Sequence, residues 1–170
     1  LRRRTGPRFP TSSSVLTDAL VGILGTATAK VTPNALFTDH AVLQQGIAIP
    51  VWGAADPGEA VKVTLGGESR ETTANEAGRW LVYLDSRETG GPHSLTIKGT
   101  NKIELSDVLI GEVWVCSGQS NMAWSVRRSD KPDTEIAAAN WPNIRLYTVK
   151  RKVSGEPLLN VDGSGWTATT

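Results

Sequence analysis

Apolar and polar side chains alternate with a period of two from residue 36 to about residue 105. The inward-facing sets defined by this alternation are Ile47-Ile49-Val51, Val61-Val63-Leu65, Trp80-Val82-Leu84 and Leu95-Ile97. A period of two gives a strand one face for a core and one face for solvent. Turn-forming residues separate the runs at positions 53–58, 66–67, 75–78 and 90–92. The pattern predicts an antiparallel β-sandwich module of short strands over residues 30–106.

Three aromatic side chains of this module allow two interpretations. The rings of Trp52, Trp80 and Tyr83 suit a sugar-facing surface as well as an apolar core. Trp80 shares its strand face with Val82 and Leu84, which favours the core. We therefore expect these aromatic residues to stabilise the module and not to bind a ligand.

The pattern changes at Val108. Residues 108–110 and 113–116 form a nearly continuous apolar run, which is typical of a strand buried on both faces of a parallel sheet. Asp133 is placed to cap a short helix through Ala139, and residues 144–149 have the composition of another strand. A strand, a helix and a strand in this order predict the beginning of an α/β domain with a parallel sheet over residues 107–170.

A small polar turn follows this apolar run at residues 117–122. The carboxyl end of a buried strand is where an open α/β sheet exposes its chemical groups. Gly118 would let the backbone turn tightly and leave the hydroxyl of Ser120 exposed as a nucleophile, with Gln119 and Asn121 completing the turn. Ser117 lies closer to the strand end, and serines after strands are also common as helix caps. From these residues alone, both the catalytic and the structural interpretation stay open.

Composition excludes several classes of function. The 170 residues carry 18 basic and 17 acidic side chains, a net charge of +1 that gives no field suited to nucleic acid. A single cysteine, Cys116, excludes an intrachain disulfide framework and a four-ligand zinc site. The two histidines, His40 and His93, stand beside predicted turns, which favours surface or structural roles. We expect no metal and no cofactor.

Residues 1–29 have the organisation of a signal peptide. A basic start and an apolar stretch precede Ala27-Thr28-Ala29, a small-x-small cleavage pattern that would leave Lys30 as the first mature residue. The alternative is a basic arm followed by a short amphipathic helix. The leader interpretation predicts a secreted, periplasmic or otherwise extracytoplasmic protein that has no membrane contact after cleavage.

The stretch DVLIGEVWVCSGQSNM at residues 107–122 resembles the block that opens the catalytic domain of the sialate O-acetylesterase family, within the SGNH hydrolase superfamily. Upstream pieces resemble the β module that precedes this block in the family. They are LFTDH at 36–40, VLQ at 42–44, PVWG at 50–53, DPGE at 56–59, GRW at 78–80 and LTI at 95–97. The resemblance covers roughly residues 34–150 and implies an SGNH-type α/β/α catalytic domain after the β module.

The resemblance implies a carbohydrate esterase that removes O-acetyl groups from sialic acids or related sugars. Ser120 would be the nucleophile, and its backbone N–H would be one donor of the oxyanion hole. Gly118, Gln119 and Asn121 would support the turn, and Asn121 is not the family's oxyanion asparagine. The family's base histidine, its acid partner and the remaining oxyanion donors follow the nucleophile in later blocks, which neither His40 nor His93 matches. We therefore expect an amino-terminal portion of a longer enzyme that is inactive by itself.

Two other functions also fit the sequence. One is a secreted β module that binds a glycan or a protein partner and has no catalysis of its own. The other is an esterase acting on acetylated plant polysaccharide of the xylan type, which would keep Ser120 and change only the sugar. The sequence does not choose the acetylated sugar or the oligomeric state.

Overall fold

The computed structural model describes residues 30–169 and shows a mostly β chain with few helices. The strands are β1 (Thr32–Pro33), β2 (Val42–Gln44), β3 (Ile49–Ala54), β4 (Ala60–Leu65), β5 (Glu68–Thr73), β6 (Arg79–Leu84), β7 (Gly90–Lys98), β8 (Lys102–Gly111), β9 (Trp141–Val149) and β10 (Gly163–Thr169). Two short 3₁₀ helices, Ser120–Ala123 and Val126–Arg128, and the α-helix α1 (Pro132–Ala138) lie between β8 and β9. The β character predicted from the period of two is confirmed.

The first eight strands form two sheets. One has the order β1-β3-β6 and is antiparallel, and the other has the order β2-β8-β7-β4-β5. Within the second sheet β2 pairs parallel with β8, whereas the other neighbours are antiparallel. The expectation of a purely antiparallel module is therefore wrong at the β2 edge. Alternation of apolar residues shows which side chains face inward, but it is the same for parallel and antiparallel neighbours.

Inward side chains from both sheets fill one apolar core. The core includes Ile49, Val51, Val61, Val63, Leu65, Trp80, Val82, Leu84, Leu95, Ile97, Leu105, Val108 and Ile110. The inward sets predicted from the sequence are thus buried, with one exception. Ile47 precedes β3 and is 54% exposed. Burial of these apolar surfaces is the main force that holds the two sheets together.

Strand β8 belongs to this core and not to a second, parallel sheet. Its residues Val108 and Ile110 are buried between the sheets, and β2 and β7 occupy its two hydrogen-bonding edges. A strand paired on both edges cannot accept another neighbour. The apolar run also ends as regular structure at Gly111, and Val113 to Cys116 are exposed. The prediction of one buried strand over residues 108–116 is therefore wrong in its second half.

The last two strands form a separate antiparallel hairpin, in which β9 pairs with β10. Residues 144–149 are a strand as predicted, but β8 and β9 do not form a parallel β-α-β unit. Residues 163–166, which the sequence pattern did not assign to a strand, begin β10. Helix α1 has Lys131 at its N-cap, and Asp133 lies within its first turn. The predicted helix and strand therefore exist, but β9 pairs with β10 and not with β8.

The three aromatic residues of the module have different environments. Trp80 is 3% exposed, and its indole Nε1 donates to the carbonyl oxygen of Ala54 over 3.0 Å, so the core interpretation is confirmed for Trp80. Trp52 is partly buried and meets Phe37 edge to face, with ring centroids 4.8 Å apart. Tyr83 is 58% exposed, so the core interpretation is wrong for Tyr83.

The β9–β10 hairpin is held against the loop that precedes β2. The indole Nε1 of Trp166 donates to the Leu36 carbonyl over 2.8 Å, and the Tyr147 hydroxyl donates to the Ala35 carbonyl over 3.2 Å. Asn34 Nδ2 donates to the Leu159 carbonyl over 3.0 Å. Because desolvation accompanies these contacts, the pKa of Tyr147 is raised. The module thus fixes both β8 and the hairpin, between which the predicted catalytic turn lies.

The predicted leader, residues 1–29, lies outside the described residues. Within residues 30–169, no helix has the length and apolar character that crossing a membrane requires.

Candidate active site

Two glutamines at the end of β2, Gln44 and Gln45, contact the chain where it leaves β8 after Gly111. Gln45 Nε2 donates to Glu112 Oε1 over 2.6 Å, and Gln44 Nε2 donates to Glu112 Oε2 over 3.2 Å. Gln44 Oε1 accepts from the backbone N–H of Val113 over 2.8 Å. The hydrogen bonds from Gln45 and Gln44 lower the pKa of Glu112. The direction in which the next segment starts is therefore set by the parallel β2–β8 pair.

The segment after Glu112 carries large apolar side chains that the described residues do not cover. Trp114 is 82% exposed and Val115 is 92% exposed. Trp124 is 60% exposed beyond the turn. Surfaces of this kind in soluble proteins usually mark an interaction with other protein or with a ligand.

The residues singled out by the sequence lie together in one exposed turn. Ser120 is the first residue of the 3₁₀ helix Ser120–Ala123, and Gln119 is its N-cap. The N–H of Met122 donates to the Gln119 carbonyl over 3.0 Å and closes the turn. Gly118 has a φ of +156°. The turn thus presents Ser120 at a surface, with Gly118, Gln119 and Asn121 next to it in the chain.

The hydroxyl and the backbone N–H of Ser120 have no hydrogen-bond partner within the part of the chain that the structure describes. The first N–H groups of a helical turn have no partner inside the turn. The hydroxyl and the backbone N–H of Ser120 are therefore both available to a ligand, and no histidine or carboxylate among residues 30–169 is hydrogen-bonded to the hydroxyl.

The two histidines take part in other arrangements. His40 Nδ1 lies 2.6 Å from Asp107 Oδ2. His93 lies within β7, where it stands opposite Val108. Neither histidine is hydrogen-bonded to Ser120 among residues 30–169.

Asp107 is the centre of a cluster that also includes Arg145. Arg145 Nη1 donates to Asp107 Oδ2 over 2.7 Å, and Arg145 Nη2 donates to Asp107 Oδ1 over 3.2 Å. The Arg145 side chain is only 5% exposed. The hydrogen bonds from Arg145, and next the single hydrogen bond from His40, lower the pKa of Asp107 to about 2. Asp107 is therefore a fixed anion at neutral pH.

Sequence reasoning missed Arg145. The available signal was a single cation between Ile144 and Leu146, inside a strand predicted from its apolar residues. A charged side chain in such a strand is rarely buried unless it is paired. Its partner could not be identified, because Asp107 precedes it by 38 positions.

Within residues 30–169, no group of three or more histidine, cysteine, aspartate or glutamate side chains is arranged to hold a metal ion. The single cysteine, Cys116, is exposed and free.

Comparison with known proteins places this chain beside acetylesterases. No family model matches it. Sialate O-acetylesterase from Rattus norvegicus is 32% identical over 126 residues, which are 66% of this chain and 23% of that protein. Sialate O-acetylesterase from Homo sapiens is 34% identical over 111 residues, 58% of this chain and 21% of that protein. The chain thus spans less than a quarter of the length of these relatives.

A solved structure is similar to a larger part of the chain. The crystal structure of a carbohydrate acetylesterase from Xanthomonas citri superposes with a TM-score of 0.78 and 34% sequence identity. The match covers 81% of this chain and 32% of that protein. The resemblance predicted from residues 107–122 and from the β module is confirmed, and the chain is sialate O-acetylesterase-like over the part of those proteins that it spans.

Proposed function

We propose that this chain is part of a carbohydrate esterase that removes O-acetyl groups from sialic acid or a related sugar, with Ser120 as the nucleophile. The observation that carries the proposal is the free hydroxyl of Ser120 at the start of an exposed turn. The named activities of the similar proteins support the reaction class. No cofactor is needed for this chemistry.

The reaction that we propose has two steps. The Ser120 oxygen attacks the acetyl carbonyl and forms an acetyl-enzyme while the sugar hydroxyl leaves, and water then releases acetate. The Ser120 backbone N–H is suited to stabilise the oxyanion, and one such donor lowers the activation barrier by about 3 to 4 kcal/mol. A serine hydroxyl also needs a base to take its proton.

We propose that the base and its acid partner come from chain outside these 170 residues. Asp107 is already paired with Arg145 through both carboxylate oxygens, and the residues between Val113 and Leu159 expose many apolar side chains. The exposed apolar side chains support a further domain, of the SGNH α/β/α type that the resemblance implies, which the residues after Gly111 begin and further chain would complete. Residues 107–111 belong to β8 of the β module. We use the term complete enzyme for this chain together with the residues that supply the base. The 170-residue chain alone is expected to be inactive.

The sugar remains the least constrained part of the proposal. The Xanthomonas relative is described as a carbohydrate acetylesterase without a named sugar. An acetylated polysaccharide of the xylan type would use the same nucleophile and the same acetyl-enzyme. The substrate class is therefore an O-acetylated carbohydrate, with sialic acid as the first candidate.

A non-catalytic binding module is the second candidate function. The outer face of the three-stranded sheet places Tyr83, at 58% exposure, near Leu81, at 45% exposure. Trp52 stands opposite Leu81 in the paired strand β3. An exposed ring beside apolar neighbours suits a glycan or a protein partner. This function predicts glycan binding that Tyr83→Ala weakens and that Ser120→Ala leaves unchanged.

The experiment that tests the esterase proposal is hydrolysis of an aryl acetate by the complete enzyme. Ser120→Ala is expected to remove activity, by a factor on the order of a millionfold, because the nucleophile is lost. Ser117→Ala is the matched control, since it removes a hydroxyl from the same exposed segment and should keep most of the activity. Wild-type rates in Ser120→Ala would remove Ser120 from the mechanism.

A further inference from the structure

The segment that carries Ser120 begins and ends at one ion pair. Asp107 lies in β8 and Arg145 lies in β9, and the whole chain between these strands, including the Ser120 turn and α1, lies between the two residues. The pair therefore joins the β module to the hairpin at the base of this segment. It closes a loop of chain together with the Trp166–Leu36 and Tyr147–Ala35 hydrogen bonds, which also hold the hairpin to the module.

The geometry of the pair favours a fixed orientation. Both Arg145 Nη atoms bind the Asp107 carboxylate, and Arg145 Nε donates to the Pro142 carbonyl over 2.6 Å. An arginine–carboxylate pair with two parallel hydrogen bonds restricts distance and angle together. Because the Arg145 side chain is 5% exposed, water competes little for these bonds.

The backbone on the module side is held in an unusual conformation around the same carboxylate. Asp107 has a φ of +55° and His40 has a φ of +66°, values that residues other than glycine seldom adopt. Their side chains are hydrogen-bonded to each other, and the His40 N–H donates to the Ser106 carbonyl over 3.0 Å. Asp39 Oδ1 accepts from both the N–H and the hydroxyl of Ser106. Strained residues persist where several neighbours fix them, and such positions are frequent near functional sites.

We propose that Asp107 and Arg145 are positioning residues for the Ser120 segment, with His40 orienting the Asp107 carboxylate. This inference rests on the proposed function of Ser120. The pair acts by fixing where the segment returns to the module, whereas the contacts of Gln44 and Gln45 with Glu112 fix where it leaves, so that the turn meets the base in a constant geometry. A displacement of about 1 Å at a reacting atom can lower turnover by about a hundredfold.

The test uses the single native cysteine, Cys116, which is exposed in the Ser120 segment. A nitroxide on Cys116 and a second nitroxide on Glu76→Cys, at an exposed turn of the module, report the distance between segment and module. In the 170-residue chain, Asp107→Asn and Arg145→Gln are each expected to broaden this distance distribution at least about twofold. Glu104→Gln is the matched control, because it breaks the exposed Lys102–Glu104 pair on β8 and should leave the distribution unchanged.

The kinetic readout is made on the complete enzyme. Asp107→Asn and Arg145→Gln are expected to lower kcat about 10-fold to 100-fold, with KM changed less than about threefold. Arg145→Lys keeps the charge without the paired hydrogen bonds, so it should give an intermediate kcat. If Asp107→Asn and Arg145→Gln do not fold, Arg145→Lys provides a folded variant for the same test. His40→Asn should rescue activity relative to His40→Val, because asparagine tolerates a positive φ and can donate to Asp107.

Two results would overturn the proposal. One is an unchanged distance distribution in both Asp107 and Arg145 variants, and the other is a broadened distribution with wild-type kcat. Failure of the esterase proposal is recognised separately, by wild-type turnover in Ser120→Ala. The distance measurement needs no activity, so it still decides whether the pair fixes the segment.

Discussion

Gly118 and Met122 face each other across the turn that carries Ser120. A Cβ atom added at Gly118 would lie 2.6 Å from Met122 Cγ, well inside the distance of an ordinary contact. The φ of Gly118, +156°, is also one that residues with a side chain rarely adopt. The shape of the turn therefore depends on the absence of a side chain at residue 118.

Gly118→Ala is expected to displace the turn and to lower kcat of the complete enzyme about 10-fold or more. Met122→Ala in the same chain should restore part of the loss, because it removes the contact but leaves the backbone strain. Met122→Ala alone is the control and should have a small effect. Equal kcat values in Gly118→Ala and the wild type would show that the turn adjusts freely.

Trp80 is expected to be a major source of stability. Trp80→Ala removes a ring that is 3% exposed and a hydrogen bond to Ala54, so it should lower the free energy of unfolding by about 3 to 5 kcal/mol. Tyr83→Ala on the same strand is the matched control. Because Tyr83 is 58% exposed, its loss should cost less than about 1 kcal/mol. Urea unfolding followed by circular dichroism measures both, and equal losses would contradict the assigned core.

Acid should weaken the link between Asp107 and Arg145. Hydrogen bonds from Arg145 lower the pKa of Asp107 from 3.8 to about 2, so the carboxylate contributes stability that is fully present above about pH 3.8. This contribution is lost as the pH falls from 3.8 towards 2. We expect the difference in unfolding free energy between wild type and Asp107→Asn to shrink across that interval. Urea titrations from about pH 6 to about pH 2 measure it, and a difference independent of pH would refute the assignment.

Much of the β module was predictable because the buried positions of a strand are apolar at every second residue. The inward sets of β3, β4, β6 and β7 follow from the alternation of apolar residues, and the turns follow from Gly, Pro, Asn and Asp. The same alternation does not show which strands pair with each other. Residues 108–116 therefore suggested a parallel sheet, whereas Val108 and Ile110 fill the module core and both edges of β8 are occupied.

The candidate site was predictable only where residues are close in the chain. One turn contains Gly118, Gln119, Ser120 and Asn121. These residues are neighbours in the chain, so they lie close together whatever the fold. The pairing of His40 with Asp107 spans 67 positions, and two backbone conformations with positive φ support it. Arg145 is a single cation in an apolar strand, and only the docked hairpin shows which carboxylate it meets.

Export of the protein remains a prediction. The pattern Ala27-Thr28-Ala29 after an apolar stretch leads us to expect cleavage before Lys30 and a secreted, periplasmic or otherwise extracytoplasmic location. Amino-terminal sequencing of the mature protein measures the cleavage position. Recovery of residues 1–29 attached to cytoplasmic protein would contradict the expectation.

Covalent labelling of Ser120 tests the central claim most directly. A fluorophosphonate reacts with a serine that a base activates, and mass spectrometry of the digested protein identifies the labelled residue. We predict stoichiometric label on Ser120 in the complete enzyme, none in its Ser120→Ala variant, and none in the 170-residue chain, where no base is hydrogen-bonded to Ser120 among the described residues. Label on another serine of the complete enzyme would contradict the assigned nucleophile. Stoichiometric label on Ser120 in the 170-residue chain would instead show that this chain contains its own base, with His40 and His93 as its only histidine candidates.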